Sequence, residues 1–370
     1  MSKAKINAWR IVFFSMLVLP TVLYLLIFRG KEPETFENRT PAKAPVLTLE
    51  NYNNIPDEVT AWYNDNLPFR SSMVSLYSYG VYKVFHENAL PNVVVGKDNW
   101  LFYNRPDDGN NILDYKGMCQ FSEEHLSMIA ANLSAIQENL AAQGCRFILF
   151  IAPDKDHVYP ENMPDYIQGP GPSRASGLIS YLQENTDVTV LYPMAEFLYF
   201  REENEEDPLY YHYDTHWNAL GAYLATRPLL LELGIEPTGR YDLSIEKNNE
   251  SEYDLADLLA IRNFLHDDEG FTITDPYFEP AKLIADDGGE CVVLSAEGEG
   301  VDDREVLIMR DSFADQMAPF IAPRFSKTTL LRRTGSGNSE QYREAMDHLP
   351  DVFIYEISER YLDDILTFAP

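Results

Sequence analysis

Cysteine is scarce in this 370-residue chain: there are three, Cys119, Cys145 and Cys291. They lie far apart and form no Cys-x-x-Cys, which excludes a zinc ribbon or a thioredoxin-type motif and allows at most one disulfide, with one thiol left over. Cys145 precedes a strand-like run and reads as a buried thiol. A chain of this length needs no disulfide framework. Positive charge is scarce too. Lys and Arg number 29 against 59 Asp and Glu, for a formal net charge of −30. Phosphate contacts require a basic face, so nucleic acid is excluded as a partner. Acidity of this size suits solubility outside a cell. There is no Gly-x-Ser-x-Gly elbow and no phosphate-binding Walker loop, so no nucleotide or other cofactor is expected. No internal repeat or low-complexity tract occurs.

Apolar residues are plentiful, at 45% of the chain, enough for a large core. Most of the 23 Tyr, 20 Phe and 4 Trp are read as core packing, although exposed rings could stack on sugars. Residues 1–10 carry Lys3, Lys5 and Arg10, and an apolar run follows from Ile11 to Phe28, interrupted only by Ser15, Pro20 and Thr21. At about 1.5 Å per residue, that run approaches the roughly 30 Å of a bilayer core. No small-residue cleavage site precedes Arg29 and Lys31. The expectation is an uncleaved signal anchor: a basic cytoplasmic tail (1–10), a single transmembrane helix (11–28), and everything after it extracytoplasmic at the cell membrane. Residues 29–50, with Pro33, Pro41 and Pro45, read as a linker.

Beyond the linker, Ile55–Phe69 and Ser71–Phe85 have helical spacing, giving a helical segment (51–90) expected to pack on the domain that follows. Val93–Tyr103 reads as a hairpin. Strands and helices then alternate. A helix begins at Ser122 with capping character and closes at Gly144. Arg146–Ala152 is a strand so apolar that a parallel sheet buried on both faces is implied. A helix over Ser176–Gln183, a strand over Val188–Tyr192 and a helix over Asn218–Leu233 come next. Strands follow over Glu305–Met309 and Lys327–Leu331, then a helix over Ser339–Met346 and a last strand over Asp351–Glu356. This alternation predicts an α/β domain over 91–370, a parallel sheet flanked by helices. The acidic stretch 241–300 reads as an insertion or loop-rich cover.

Two short stretches could carry chemistry. Tyr213-Asp214-Thr215-His216-Trp217-Asn218 sets an acid and an imidazole two residues apart, so that on extended backbone both side chains point the same way. Arg310-Asp311-Ser312-Phe313 puts a serine on the turn after an apolar strand, where free N–H groups at a helix start could hold an oxyanion. Together they make a set for nucleophilic acyl transfer, with His216 as base and Asp214 orienting it. Plainer readings stand beside this one. Ser312 could be an N-cap, Asp214 or Thr215 could cap the next helix, and Trp217 could be core. His212, Asp214 and His216 could instead ligate zinc or iron. Asp154 and the acidic run Glu202–Asp207 read as solvated surface. Asp154, Lys155, Asp156 and His157 also sit at a strand end, where they could line a pocket. Ser336, in a Gly-Ser-Gly loop, is a weaker alternative serine.

Taken in order, several stretches resemble one known family. Phe36-Glu37-Asn38-Arg39, Tyr63 to Arg70, the hairpin Val95-Gly96-Lys97-Asp98-Asn99-Trp100-Leu101-Phe102-Tyr103, Ala152-Pro153-Asp154-Lys155 with Val158-Tyr159-Pro160-Glu161, Asp214 to Asn218 and Arg310 to Phe313 are similar to the SGNH-hydrolase-like O-acetyltransferases of the alginate-acetylation (AlgJ/AlgX) type. The resemblance implies a flavodoxin-like fold with circularly permuted motif order. It also implies an enzyme that moves acetyl groups onto hydroxyls of a secreted or cell-surface polysaccharide through an acyl-serine. Ser312 is implied as nucleophile, His216 as base and Asp214 as its acid, with Asp154, Lys155, Trp217, Arg310 and Asp311 near the substrate. No metal is implied. The implied partners are the polysaccharide acceptor and an integral-membrane acyltransferase that supplies the acetyl group. An acetylesterase with the same triad, or a non-catalytic glycan-binding subunit of an export complex, are the alternatives.

Overall fold

The computed structural model describes residues 3–28, 41–46, 53–333 and 340–368. The resembling stretch Phe36–Arg39, Ser336 and most of the expected linker lie outside them. The chain forms two compact units, Met1–Leu90 with Ala256–Leu265, and Pro91–Leu255 with His266–Pro370.

The first unit is helical, with helices over Lys3–Leu23, Ile55–Asp65 and Arg70–Phe85. The helices expected between 51 and 90 are thus present, grouped with the distant segment Ala256–Leu265. Ser75 Oγ donates to the carbonyl of Ala260, and the rings of Tyr79 and Phe264 stack with centroids 4.3 Å apart. The expected single transmembrane helix over 11–28 is corrected. Among the described residues, no helix is long and apolar enough to cross a membrane. The first helix opens with Lys3, Lys5, Asn7 and Arg10 interspersed among apolar residues, and Tyr24–Phe28 winds as a π-helix. The α-helical part of the apolar run, Ile11 to Leu23, reaches only about 20 Å at the usual rise.

The second unit is built on β-structure. Its strands are β1 (Val93–Val95), β2 (Leu101–Tyr103), β3 (Arg146–Ala152), β4 (Val190–Leu191), β5 (Ser244–Asn248), β6 (Gly270–Thr274), β7 (Lys282–Asp286), β8 (Cys291–Ser295), β9 (Asp302–Arg310), β10 (Phe325–Arg332) and β11 (Val352–Ser358). β1 and β2 pair antiparallel as the expected hairpin. The main sheet has the order β4-β3-β11-β9-β10-β8-β7. Its first five strands are parallel, with Ile354 beside both Ile148 and Ile308.

Alternation along these strands supplies two cores. Ile148, Phe150, Ile308 and Ile354 face the helices Ala219–Glu232 and Phe313–Ile321, where Trp217, Leu224, Phe313 and Met317 meet them. Phe147, Leu149, Leu307, Phe353 and Tyr355 face the helices Glu123–Ala142 and Arg174–Asn185 through Leu133, Leu140, Leu178 and Leu182. Burial on both faces accounts for the apolar sequence of β3 and β11.

The stretch 241–300, expected as an insertion or a loop-rich cover, is more regular than a loop. It holds two antiparallel pairs. β5 pairs with β6, while β7 and β8 extend the main sheet antiparallel beyond β10. The β7–β8 turn sets Gly288 and Gly289 at φ +91° and +89°, a region that side-chain-bearing residues rarely enter. Their N–H groups donate to Asp286 Oδ1. A helix over Met194–Glu203 was not foreseen either.

Candidate active site

Parallel strands end on one side of a sheet, and here β9 delivers Ser312, β3 delivers Asp154 and Lys155, and β11 delivers Glu359 and Arg360 to that side. Ligand sites of such sheets lie beyond these carboxyl ends. Ser312 begins the helix Phe313–Ile321, yet its side chain makes no cap hydrogen bond. Asp311 takes that role, its Oδ1 accepting from Phe313 N at 3.0 Å and its Oδ2 from Ser358 N at 2.8 Å. The Ser312 hydroxyl is 2.7 Å from Nε2 of His216, whose Nδ1 is 2.7 Å from Asp214 Oδ1. The three residues that the sequence singled out across about a hundred positions are therefore in line.

The loop carrying Asp214 and His216 is clamped through its backbone. Lys155 Nζ donates to the carbonyls of Tyr211, His212 and Asp214, at 3.0, 3.2 and 2.7 Å. From the other side, Asp268 accepts from the N–H of His212 and Tyr213, and Asp254 from that of Thr215. Asp254 N in turn donates to Asp214 Oδ2 at 3.1 Å. Trp217 is fully buried and donates from Nε1 to the carbonyl of Phe313 at 3.1 Å, joining the loop to the serine's helix. Asn218 Oδ1 caps the next helix by accepting from Leu220 and Gly221 N. Gly221 passes so close to Leu209 O that a Cβ there would sit 2.3 Å from it.

The expected substrate residues have structural partners here. Trp217, Asp154, Lys155 and Arg310 are all buried. Asp154, expected on the surface, is 1% exposed and faces Arg360 Nη1 at 3.3 Å. Arg310 ties Asp315, at 2.9 Å, to the carbonyl of Gly289. Asp311 braces the turn before the serine. Sequence reasoning missed Asp254, Asp268 and Arg360. Their partners are backbone amides, a buried carboxylate and ring faces, which leave no motif. Arg360 lies over the Phe313 and Tyr103 rings, with Cζ 5.2 and 5.1 Å from their centroids.

Electrostatics follow from this arrangement. Burial pushes the Asp214 carboxyl up, but the hydrogen bond and charge of His216 outweigh it and hold the acid at about 2. Burial lowers the imidazole, but Asp214 and Asp254 prevail and His216 is raised above its ordinary value. Burial, helped by the charge on Asp214, lifts Asp254 to about 6. Burial brings Lys155 down to about 8 against four surrounding carboxylates.

Ser312, His216 and Asp214 open into a cavity of about 410 Å³ shared with Tyr211, Asn248, Glu250, Ser251, Glu252, Phe271, Thr272, Asp315 and Gln316. A larger one, about 680 Å³, lies beside Trp100, Tyr159 and the acidic run 202–207; it does not reach the serine. Within that run, Asp207 pairs with Arg240.

The alternative metal set His212, Asp214 and His216 does not converge. The His212 ring packs on Trp100 and sits 3.5 Å from Asp268. Two other groups bring ligand atoms within 4.8 Å of one another: Asp214, His216 and Asp254, and the buried Asp114, His157 and Glu359. In the first, the oxygens already serve His216, Asp254 N and Thr215. In the second, burial lowers His157, but Glu359 and Asp156 outweigh it and raise it to about 10. The three cysteines are free.

Residues 93–262 match the family model of the SGNH hydrolase-like domain of the acetyltransferase AlgX. A probable alginate O-acetylase AlgJ from Pseudomonas syringae pv. tomato is 26% identical over 169 residues, 45% of this chain and 39% of its own length. The chain therefore matches about two fifths of that relative. Among solved structures, Bacillus cereus PatB1 with a sulfonyl adduct superposes with a TM-score of 0.53 at 16% identity, covering 75% of this chain and all of that one. A DHHW family protein from Eubacterium siraeum gives 0.50 at 14% identity, covering 75% of this chain and 99% of that one. The SGNH hydrolase-like α/β fold expected from the sequence holds, and residues 93–262 are similar to an acetyltransferase domain of the AlgX type. The matched segment contains Asp214 and His216 and ends before Ser312.

Proposed function

We propose that this chain is an O-acetyltransferase that loads an acetyl group on Ser312 and passes it to a hydroxyl of a polysaccharide. One observation carries the reading: Ser312 Oγ, His216 and Asp214 are joined by two 2.7 Å contacts at the floor of an open cavity. His216 Nε2 takes the hydroxyl proton as Oγ attacks the acetyl carbonyl of the donor, and Asp214 stabilises the imidazolium so formed. The oxyanion develops at the start of the helix Phe313–Ile321, where the backbone dipoles favour negative charge. Collapse expels the donor's leaving group, which takes the proton from His216. A sugar hydroxyl then gives its proton to His216 and attacks the acyl-serine; the new ester forms as the Oγ–acyl bond breaks, and His216 returns the proton to Oγ.

The relatives' names support alginate-type acetylation as the class of work; a membrane acyltransferase as the source of acetyl is part of the proposal. We place the reaction outside the cytoplasm at a membrane surface. Ile11, Phe13, Phe14 and Met16 of the first helix are exposed, and such an apolar face suits lipid. Hydrolysis is the competing outcome, because polar groups line the cavity and water can enter. A non-catalytic role is disfavoured by the serine's hydrogen bond to His216 in place of its helix cap.

The test uses the protein with a small activated acetyl ester, and mass spectrometry of the Ser312 peptide with and without an oligosaccharide. Acetyl on Ser312 that moves to sugar supports the transferase. Acetyl lost only to water supports an esterase, and no adduct in the wild type sinks the serine mechanism.

A further inference from the structure

The cavity that holds Ser312 has a definite charge. Its uncharged polar groups come from Asn248, Ser251, Thr272 and Gln316, and no lysine or arginine lines it. Of its four carboxylates, Asp214 is buried behind its hydrogen bond to His216 and Asp315 is paired with Arg310. That leaves Glu250 and Glu252, which are exposed on the segment after β5. No basic side chain among the described residues lies at ion-pair distance from either. Amides, hydroxyls and carboxylates are good partners for sugar hydroxyls, but two uncompensated carboxylates repel an anionic sugar.

We propose that Glu250 and Glu252 select the acceptor: a glycan whose reacting sugars carry no carboxylate or phosphate. The inference rests on the reading of Ser312 as acyl carrier, and it concerns only the second half-reaction. It differs from a transfer of the relatives' named substrate, since alginate carries a carboxylate on every sugar. Like charges brought together in a recognition site cost several kcal/mol, and salt screens such repulsion over about 10 Å at 0.1 M. The selectivity must therefore depend on ionic strength.

A matched pair of acceptors tests it: an oligouronate and the same oligomer after chemical reduction of its carboxylates, which keeps linkage and length but removes charge. The full chain, loaded from p-nitrophenyl acetate, is offered each one. Acetylated sugar is scored by mass spectrometry and normalised to acetyl-Ser312. The reduced oligomer should be acetylated at least about tenfold faster at 20 mM salt, a ratio worth about 1.4 kcal/mol. The gap should narrow several-fold at 500 mM salt and in Glu250→Gln/Glu252→Gln. Equal or faster use of the oligouronate overturns the proposal, as does a gap that neither salt nor the double variant moves. Should the variant fail to fold, the salt series on the wild type decides alone. Acetylation of Ser312 with transfer to neither oligomer overturns the transferase reading and the acceptor proposal together. A missing acetyl-Ser312 signal overturns the mechanism beneath them.

Discussion

The hydroxyl of Ser312 turns away from the helix it begins and lies 2.7 Å from Nε2 of His216. Asp311 supplies the cap instead, so the serine is released from a structural duty and poised for chemistry. Ser312→Ala should therefore abolish the acetyl-enzyme while leaving the thermal unfolding midpoint within a few degrees of wild type. Intact-mass spectrometry after exposure to an activated ester, together with a melting curve, checks both halves.

Asp214→Asn should keep the loop in place but remove the charge that orients and stabilises the imidazole. By analogy with other triads, acyl-enzyme formation should slow by roughly 10³- to 10⁴-fold. Stopped-flow release of p-nitrophenol reads the rate. A loss below tenfold would remove Asp214 from the mechanism.

The pH dependence has a definite sign. His216 must be neutral to accept the serine proton, and its pKa is raised, so the rate should climb with pH through a midpoint above the ordinary imidazole value of 6.5. In Asp254→Asn one raising charge is gone and the midpoint should move down. For stability, the raised His216 contributes below its unfolded pKa, and that contribution is lost as pH rises through the folded value. Asp214, held at about 2, contributes above its unfolded value near 3.8 and loses that contribution as pH falls toward 2. Rate profiles and denaturation midpoints across pH 2–9 separate these terms.

Lys155→Met should be costly despite the matched length. Three carbonyls lose a buried donor, and at roughly 1–3 kcal/mol for each unsatisfied group the loop should destabilise by several kcal/mol. Hydrogen exchange should rise first in residues 211–216. If exchange there stays at the wild-type rate while activity falls, the lysine acts on substrate and its placement as a loop clamp is wrong.

Trp217→Phe isolates a single bond. The ring volume is largely kept, but the hydrogen bond from Nε1 to Phe313 O is lost, so stability should drop by about 1 kcal/mol. Urea denaturation measures this. The turnover rate should fall with little change in KM, because the side chain is buried away from the cavity.

What the sequence revealed divides along physical lines. The apolar runs of β3, β9 and β11 announced buried parallel strands because both of their faces are covered. Asp214, His216 and Ser312 were visible because each belongs to a short local pattern. β7, by contrast, is exposed along its whole length, so no periodicity marks it. Asp254 and Asp268 work by accepting backbone N–H groups from a loop about 40 to 55 residues away, and any acid could be imagined doing so. Lys155 and Arg310 were noticed for their position, but charged side chains are read as surface, and nothing local shows that the fold encloses them. The first helix misled for the opposite reason: an apolar run gives length in residues, while the π-helical turn at Tyr24–Phe28 changes the length in ångströms.

Between β5 and β6 the chain leaves the sheet-bearing unit, donates Ala256–Leu265 to the helical one, and returns. The two units are thus sewn together by the polypeptide itself, and no single cut separates them. A fragment begun at Pro91 would keep every residue of the Ser312 cavity but strip Ser75 from Ala260 and Tyr79 from Phe264. Both ends of that loosened segment run straight into acidic residues that hold the His216 loop, Asp254 on one side and Asp268 on the other. Trimming the helical region would therefore be felt at the imidazole, as a slackening carried along the chain.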